Sequence, residues 1–173
     1  MIGRIKGILA ARDDAIVVVD VAGVGYEIEL TNAARAMLPA VGETVSIYTH
    51  LVIREDAHAL FGFESLAERD LFRSLIKVSG IGPKLALTLL SGINVADFVR
   101  CIRDGDVTRL TKLPGVGKKT AERLVVELKD RIDRMVSVPA AAPRRASESG
   151  AKVIEEAERA LISLGYKQVD AHK

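Results

Sequence analysis

Two stretches of this sequence place a pair of glycines just before a lysine, a combination suited to binding a phosphate group. Residues 75–90 read LIKVSGIGPKLALTLL and residues 110–125 read LTKLPGVGKKTAERLV, so the second stretch repeats the first at an offset of 35 residues. Glycine lets another backbone approach closely, and the free N–H groups of a following helix N-terminus form a concave donor site for an anion. The pattern predicts one phosphate-binding loop in each stretch. The glycines concerned are Gly80, Gly82, Gly115 and Gly117.

An apolar run with helical spacing stands on each side of both loops, which is typical of the helix-hairpin-helix unit. Ile81 and Val116, between the glycines, are expected to point inward and fix the crossing of the helices. Lys84 and Lys119 fall in the first turn of the second helix, where a lysine adds a mobile positive charge. One copy alone would also suit a plain helical hairpin with a glycine C-cap. Two copies in register favour sequence-independent binding of the DNA backbone, because none of these groups reads a base edge.

Charge is distributed unevenly along the 173 residues, although the formal net charge is only +2. Residues 1–63 contain 5 Lys and Arg against 8 Asp and Glu, whereas residues 64–136 contain 14 against 10. The positive excess coincides with the two loops, as a phosphate-binding region requires. Aromatic residues make up only 4% of the chain, which argues against a protein that stacks single-strand bases on its side chains.

The composition predicts no metal site, no cofactor and no membrane anchor. Cys101 is the single cysteine, so an internal disulfide is excluded, and its thiol is expected to be buried as a small hydrophobe. The three histidines, His50, His58 and His172, have no metal-like spacing. No apolar run reaches the roughly 18 residues of a membrane span, and no secretory leader opens the sequence, which together predict a cytoplasmic protein.

The first of the two regions that must position the loops has the alternating apolar and polar side chains typical of β-strands. Residues 1–63 contain about five short runs of alternating apolar and polar side chains, with turn signals at residues 12–14, 23–25, 39–42 and 54–56. One short helix is expected near residues 32–37. These features predict a small closed β-barrel of the OB type.

The remainder of the chain has helical spacing. Residues 64–136 predict an all-α tandem helix-hairpin-helix domain, followed by a flexible Pro/Ala/Ser-rich linker at residues 137–150 and a short helical segment at residues 151–173. Ser65 with Glu68 forms a predicted capping box, and Asn94 and Asp106 are predicted N-caps. The fold class is therefore α+β, with several domains.

One turn of the predicted barrel is acidic and consists of Arg54, Glu55 and Asp56. Spacing alone leaves two interpretations open: a solvated hairpin turn, or two carboxylates presented toward DNA. In the second case the carboxylates would repel phosphates and exclude a duplex from one position.

Catalytic interpretations are weak. Two adjacent carboxylates alone make a poor Mg²⁺ site for a nuclease. The segment after Gly117 faintly matches a nucleotide-binding loop, but Lys112 and Lys119 stand where that motif requires a glycine and a hydroxyl residue. The sequence therefore predicts no catalytic residue.

Several separated segments, in the same order, resemble the RuvA family of bacterial proteins that bind four-way (Holliday) DNA junctions during branch migration. The segments are MIGRIKG at the start, GVGYE at residues 23–27, THLVIREDAHALFGF at residues 49–63, and GIGPKLAL and LPGVGKKTAERL in the two loops. The resemblance implies a barrel, a tandem helix-hairpin-helix domain and a third domain of helices. It also implies a homotetramer, or two tetramers, that holds the junction open, with the RuvB motor ATPase and the RuvC resolvase as partners.

The resemblance assigns roles to individual residues. Glu55 and Asp56 match the acidic pin at the junction centre, and Arg54 matches a neighbouring residue that steadies the central phosphates. The other matches form the surface that binds the DNA backbone: Gly80, Gly82, Lys84, Gly115, Gly117, Lys118, Lys119 and Arg123. Residues 151–173 contain less than the family's three-helix third domain, which leaves docking of the motor open.

Two other functions are compatible with parts of the sequence. A general accessory module of a repair enzyme would bind linear duplex as a monomer, without sequence preference, and would use the barrel for protein contacts. A pure scaffold would not bind DNA, and the positive charge of residues 64–136 argues against it. Oligomeric state separates the first alternative from junction binding, because junction binding requires a tetramer.

Overall fold

The computed structural model describes residues 1–14, 16–55 and 57–137, with side chains described except at residues 130 and 133–137. Contacts divide the chain into two units, Met1–Ser137 and Val138–Lys173, and all described residues belong to the first. Asp56, the predicted linker beyond residue 137 and the predicted C-terminal helical segment lie outside the described residues.

Five strands close into a barrel, which confirms the predicted first part of the fold. They are β1 (Arg4–Arg12), β2 (Ile16–Val21), β3 (Val24–Leu30), β4 (Thr44–Ile53) and β5 (His58–Phe63). The order is β1-β2-β3-β5-β4, and β4 pairs with β1 to close the barrel. Strands β3 and β5 are parallel, whereas the other neighbours are antiparallel. Helix α1 (Asn32–Ala36) connects β3 to β4, as predicted.

The alternation of side chains explains why these strands form. Val17, Val19 and Ile28 are buried inside the barrel, and their sequence neighbours point outward. A Cβ at Gly62 would overlap the side chains of Leu30 and Ile28, so the closely packed interior requires glycine there.

One turn lies slightly earlier than predicted. The β2–β3 turn is centred on Ala22 and Gly23, both at positive φ, and Gly25 is already part of β3. Two central residues at positive φ match the right-handed twist of the flanking strands, which explains the shift.

Within the described residues, five helices follow the barrel. They are α2 (Leu66–Leu75), α3 (Pro83–Gly92), α4 (Val95–Asp104), α5 (Val107–Leu110) and α6 (Lys118–Ser137). The predicted N-caps are confirmed: the Asn94 side chain accepts from the Asp97 N–H, and the Asp106 side chain accepts from the Arg109 N–H. Cys101 is buried, as predicted.

The capping box at α2 is confirmed only in part. Ser65 Oγ accepts from the Glu68 N–H at 3.2 Å, as predicted. The Glu68 carboxylate does not return to Ser65 but accepts from the Glu64 N–H at 2.9 Å, and it also hydrogen-bonds the Thr31 side chain. Glu68 thereby joins the starts of α1 and α2. Burial raises the pKa of Glu68 above its ordinary value, against the opposing effect of these hydrogen bonds.

Further polar contacts fix the helices to the barrel. The Asn32 side chain donates to the Ser91 carbonyl at 3.2 Å, and Arg69 donates to the Gly3 carbonyl at 3.3 Å. Arg73 Nε donates to His50 Nδ1 at 3.3 Å. Burial, followed by the nearby Arg73 and Arg69 charges, lowers the pKa of His50, so the neutral ring is available as an acceptor. These contacts fix α3 to α1, and α2 to the start of the chain and to β4.

Within the described residues, no single helix is both long and apolar enough to cross a membrane. Of the described helices, only α3 and α4 taken together, across a bend of 100°, meet the criteria of length and composition.

Candidate nucleic-acid interface

The two glycine loops have the same backbone hydrogen bonding, displaced by the same 35 residues as the sequence repeat. In the first hairpin, residues 80–84, the Ile81 N–H donates to the Val78 carbonyl at 3.1 Å. In the second hairpin, residues 115–119, the Val116 N–H donates to the Leu113 carbonyl at 3.2 Å. The helices that follow begin alike, because the Gly82 and Gly117 carbonyls each accept from the N–H four residues later at 2.9 Å. The repeat in sequence is therefore a repeat in structure.

The first glycine of each hairpin is required by the fold. Gly80 has φ +86° and Gly115 has φ +80°, a backbone conformation that other residues rarely adopt. A Cβ on Gly115 would also come within 2.8 Å of Leu85 Cδ1. Ile81 and Val116, which follow these glycines, are buried at 4% and 6% exposure, as predicted.

The second glycine of each hairpin is not required by the fold. Gly82 and Gly117 are outside the positive-φ region, and a Cβ built on either would have no atom within 4 Å. Both residues are exposed and precede a helix N-terminus, whose first N–H groups have no intrahelical acceptor. The open space in front of these N–H groups is suited to close approach by an external anion.

The two hairpins differ in how many groups they offer to an anion. Pro83 is the first residue of α3 and has no N–H, whereas Lys118 occupies the matching place in α6 and adds both an N–H and a charge. Lys84, Lys118 and Lys119 are exposed. In the described part of the chain, none of these three lysines is in an ion pair with a carboxylate. Of the residues within the two hairpins themselves, those of the second therefore carry the higher positive charge.

Arg123 has a contact within the protein that sequence reasoning did not identify. Its Nη1 donates to the Ser79 carbonyl at 2.9 Å, and its Nε lies 4.0 Å from Glu127 Oε1. The residue is on α6, in the second repeat, yet its guanidinium lies beside Gly80 of the first hairpin. Leu85 of α3 covers Gly115 of the second hairpin in turn. These reciprocal contacts hold the two hairpins together.

The acidic turn connects β4 to β5. The Arg54 N–H donates to the Ala57 carbonyl at 2.9 Å, which closes the turn, and both Arg54 and Glu55 are exposed. Asp56, the second carboxylate of the turn, lies outside the described residues. Arg54 and Lys84 line the same surface groove, so the base of the turn lies next to the first hairpin. Among the described residues, no cluster of three or more His, Cys, Asp or Glu could hold a metal ion.

A closed five-stranded barrel followed by two matched glycine hairpins defines a tandem helix-hairpin-helix protein. Family models agree: residues 1–62 match the RuvA N-terminal domain, and residues 72–130 match a SAM-like helix-hairpin-helix tandem.

Curated relatives match the chain along its whole length. Three of them, from Pseudomonas savastanoi pv. phaseolicola, Pseudomonas paraeruginosa and Pseudomonas putida (strain ATCC 47054), are 52%, 50% and 51% identical. Each alignment covers 100% of this chain and 87–88% of the relative, and each relative is named "Holliday junction branch migration complex subunit RuvA". The chain belongs to the RuvA family.

Proposed function

We propose that this chain binds Holliday junction DNA as the non-catalytic subunit of a branch migration complex, without sequence preference. The observation that supports this function most directly is the pair of hairpins, whose second glycines leave open space before free N–H groups. The names of the relatives support the choice of a four-way junction over linear duplex.

The phosphate contacts belong to the two hairpins. Each helix N-terminus provides N–H donors and the positive end of a helix dipole for one phosphate, and the exposed lysines add charge. The proposed residues are Gly80, Gly82, Lys84, Gly115, Gly117, Lys118, Lys119 and Arg123. Arg123 has a double role, because one nitrogen of its guanidinium already holds the first hairpin through Ser79.

The acidic turn acts at the centre of the junction. Glu55 and Asp56 form an acidic pin that repels phosphates and keeps a continuous duplex from occupying the central position. Arg54, at the base of the same turn, steadies the phosphates that remain nearby. The hairpins attract phosphates along the arms, and the acidic turn repels phosphates at the centre. Together these two effects make the binding selective for a branched structure, although it has no sequence preference.

The assembly is a homotetramer, or two tetramers facing each other. Each subunit of a tetramer binds one arm of the four-way junction. Because the assembly is multivalent, many weak, salt-sensitive contacts combine into tight binding. Within the chain, residues 1–63 form the barrel domain, residues 64–136 the DNA-binding domain, residues 137–150 a linker and residues 151–173 a C-terminal segment. A RuvB motor ATPase and a RuvC resolvase are the proposed partners in the cytoplasm.

Light scattering and an acidic-turn variant test this function. Size-exclusion chromatography with light scattering is expected to give a tetramer, and a monomer would favour a duplex-binding accessory module instead. The variant Glu55→Gln/Asp56→Asn is expected to bind linear duplex more tightly relative to junction than the wild type does. Asp13→Asn/Asp14→Asn is the matched control, because it removes an adjacent acidic pair from the exposed β1–β2 turn of the same barrel. If the two variants change the preference between linear duplex and junction equally, the proposed role of Glu55 and Asp56 as an acidic pin is contradicted.

A further inference from the structure

A groove of about 260 Å³ lies between the base of the acidic turn and the start of α3. Its floor is the outer surface of β4 and β5, and Pro83 of the first hairpin forms the opposite wall. In the strand ladder Val52 is directly opposite Ala59, and Phe61 lies two residues further along β5. The groove thus separates the acidic turn from the first hairpin, the two elements proposed to act on DNA.

Small side chains create this groove. Ala57 and Ala59 alternate with His58 along the β4–β5 hairpin and face the groove, where larger side chains would fill the space. Phe61 is only 2% exposed, so its ring closes the bottom without offering a face for stacking. The interior is apolar and open at the surface.

Charged residues surround this apolar interior. Arg54 stands on the barrel side and Lys84 on the hairpin side, and both are exposed. Glu29, paired with Phe61 across the parallel β3–β5 ladder, adds a carboxylate that can accept a hydrogen bond. An occupant that fits this surface has a flat apolar part, at least one N–H donor and an adjacent negative charge.

We propose that the groove binds one unpaired nucleotide of the junction. This role rests on the proposed function and extends it. The base enters the apolar interior, its exocyclic amino group donates to Glu29, and its phosphate lies between Arg54 and Lys84. The volume is close to the lower end of small-ligand sites, about 300–1,000 Å³, so it suits one nucleotide rather than a stack of bases. The acidic turn parts the strands, and the groove holds a base that has been released.

A fluorescent base reports on this step directly. Junctions with 2-aminopurine at single positions flanking the crossover are mixed with the full chain, because this base brightens when it leaves the stack. The wild type is expected to raise the fluorescence several-fold at one position. Ala59→Leu and Ala57→Leu, which fill the groove, are expected to abolish the rise at protein concentrations that saturate the junction with each variant. Ala10→Leu, an exposed alanine on β1, is the matched control and is expected to keep the rise.

The outcomes separate the groove from the proposed function. If the wild type does not bind the junction, the proposed function fails. If it binds but the rise persists in both filled variants, the released base is elsewhere and the groove proposal is wrong. Ala57 is exposed, so Ala57→Leu decides the question if Ala59→Leu does not fold. A loss of the tetramer in the filled variants, measured by light scattering, would show that a neighbouring subunit covers the groove and would also overturn the proposal.

Discussion

Alanine in place of the second glycine of each hairpin is expected to separate DNA binding from folding. A Cβ on Gly82 or Gly117 would meet no atom of the protein within 4 Å, but it would stand in the open space before the helix N-terminus. Losing a glycine reduces the entropy of the unfolded chain, which stabilises the fold by about 0.4–1 kcal/mol. Alanine is a poorer residue than glycine immediately before a helix, at a cost of up to about 1 kcal/mol. The two effects on the free energy of unfolding nearly cancel.

The first glycine of the second hairpin provides the contrast. Gly115→Ala forces a side chain into a backbone with φ +80°, a strain of about 1–3 kcal/mol, and brings Cβ within 2.8 Å of Leu85 Cδ1. For a chain of this size each kcal/mol corresponds to roughly 2–4 °C in Tm. Gly115→Ala is therefore expected to lower Tm clearly, whereas Gly82→Ala/Gly117→Ala is expected to leave Tm within a few degrees of the wild type.

The same double variant is expected to bind DNA poorly. A hydrogen bond to a charged group contributes about 1.5–3 kcal/mol, so obstructing one phosphate in each hairpin is expected to raise Kd at least about tenfold. Fluorescence anisotropy with a labelled junction measures Kd, and scanning calorimetry measures Tm on the same samples. Unchanged affinity at unchanged Tm would refute the assignment of these glycines to phosphate binding.

Two further substitutions test individual contacts. Arg123→Ala removes the hydrogen bond to Ser79, so hydrogen exchange at the first hairpin is expected to become faster; unchanged exchange would show that the contact does not hold this loop. Glu68→Gln tests a buried carboxyl whose pKa is raised in the folded state. The folded chain keeps the Glu68 proton to a higher pH than the unfolded chain does. The stability contributed by the protonated carboxyl is therefore complete below the unfolded pKa and is lost as pH rises through the folded pKa. The difference in unfolding free energy, wild type minus Glu68→Gln, is therefore expected to fall between acidic and neutral pH in denaturant titrations, and a difference that is flat or rises would contradict the burial effect.

Local signals made much of the fold predictable from the sequence. The alternation of apolar and polar side chains in residues 1–63 predicted the strands, and Asn94 and Asp106 predicted two helix starts, because strand periodicity and N-caps depend on neighbours in sequence. The inward position of Ile81 and Val116 also followed from their place between two glycines.

Contacts between distant segments were not predictable in this way. The capping-box pattern indicated Ser65 as the partner of the Glu68 carboxylate, which instead accepts from the adjacent Glu64 N–H. Its additional hydrogen bond to Thr31 exists only once the barrel and α2 have packed. Arg123 and Ser79 belong to different repeats, and their hydrogen bond depends on how the hairpins are placed. The groove beside Ala59 likewise results from three-dimensional packing, since alanine in a strand gives no sign of an adjacent space.

Selective binding of a four-way junction is tested by a competition gel shift. A labelled synthetic junction with homologous or scrambled arms is bound by the full chain at moderate salt, and unlabelled linear duplex of the same sequence is added in excess. The junction complex is expected to persist under this competition, and scrambling the sequence is expected to change its affinity little. Equal competition by linear duplex would contradict selective junction binding and would identify a general binder of the DNA backbone.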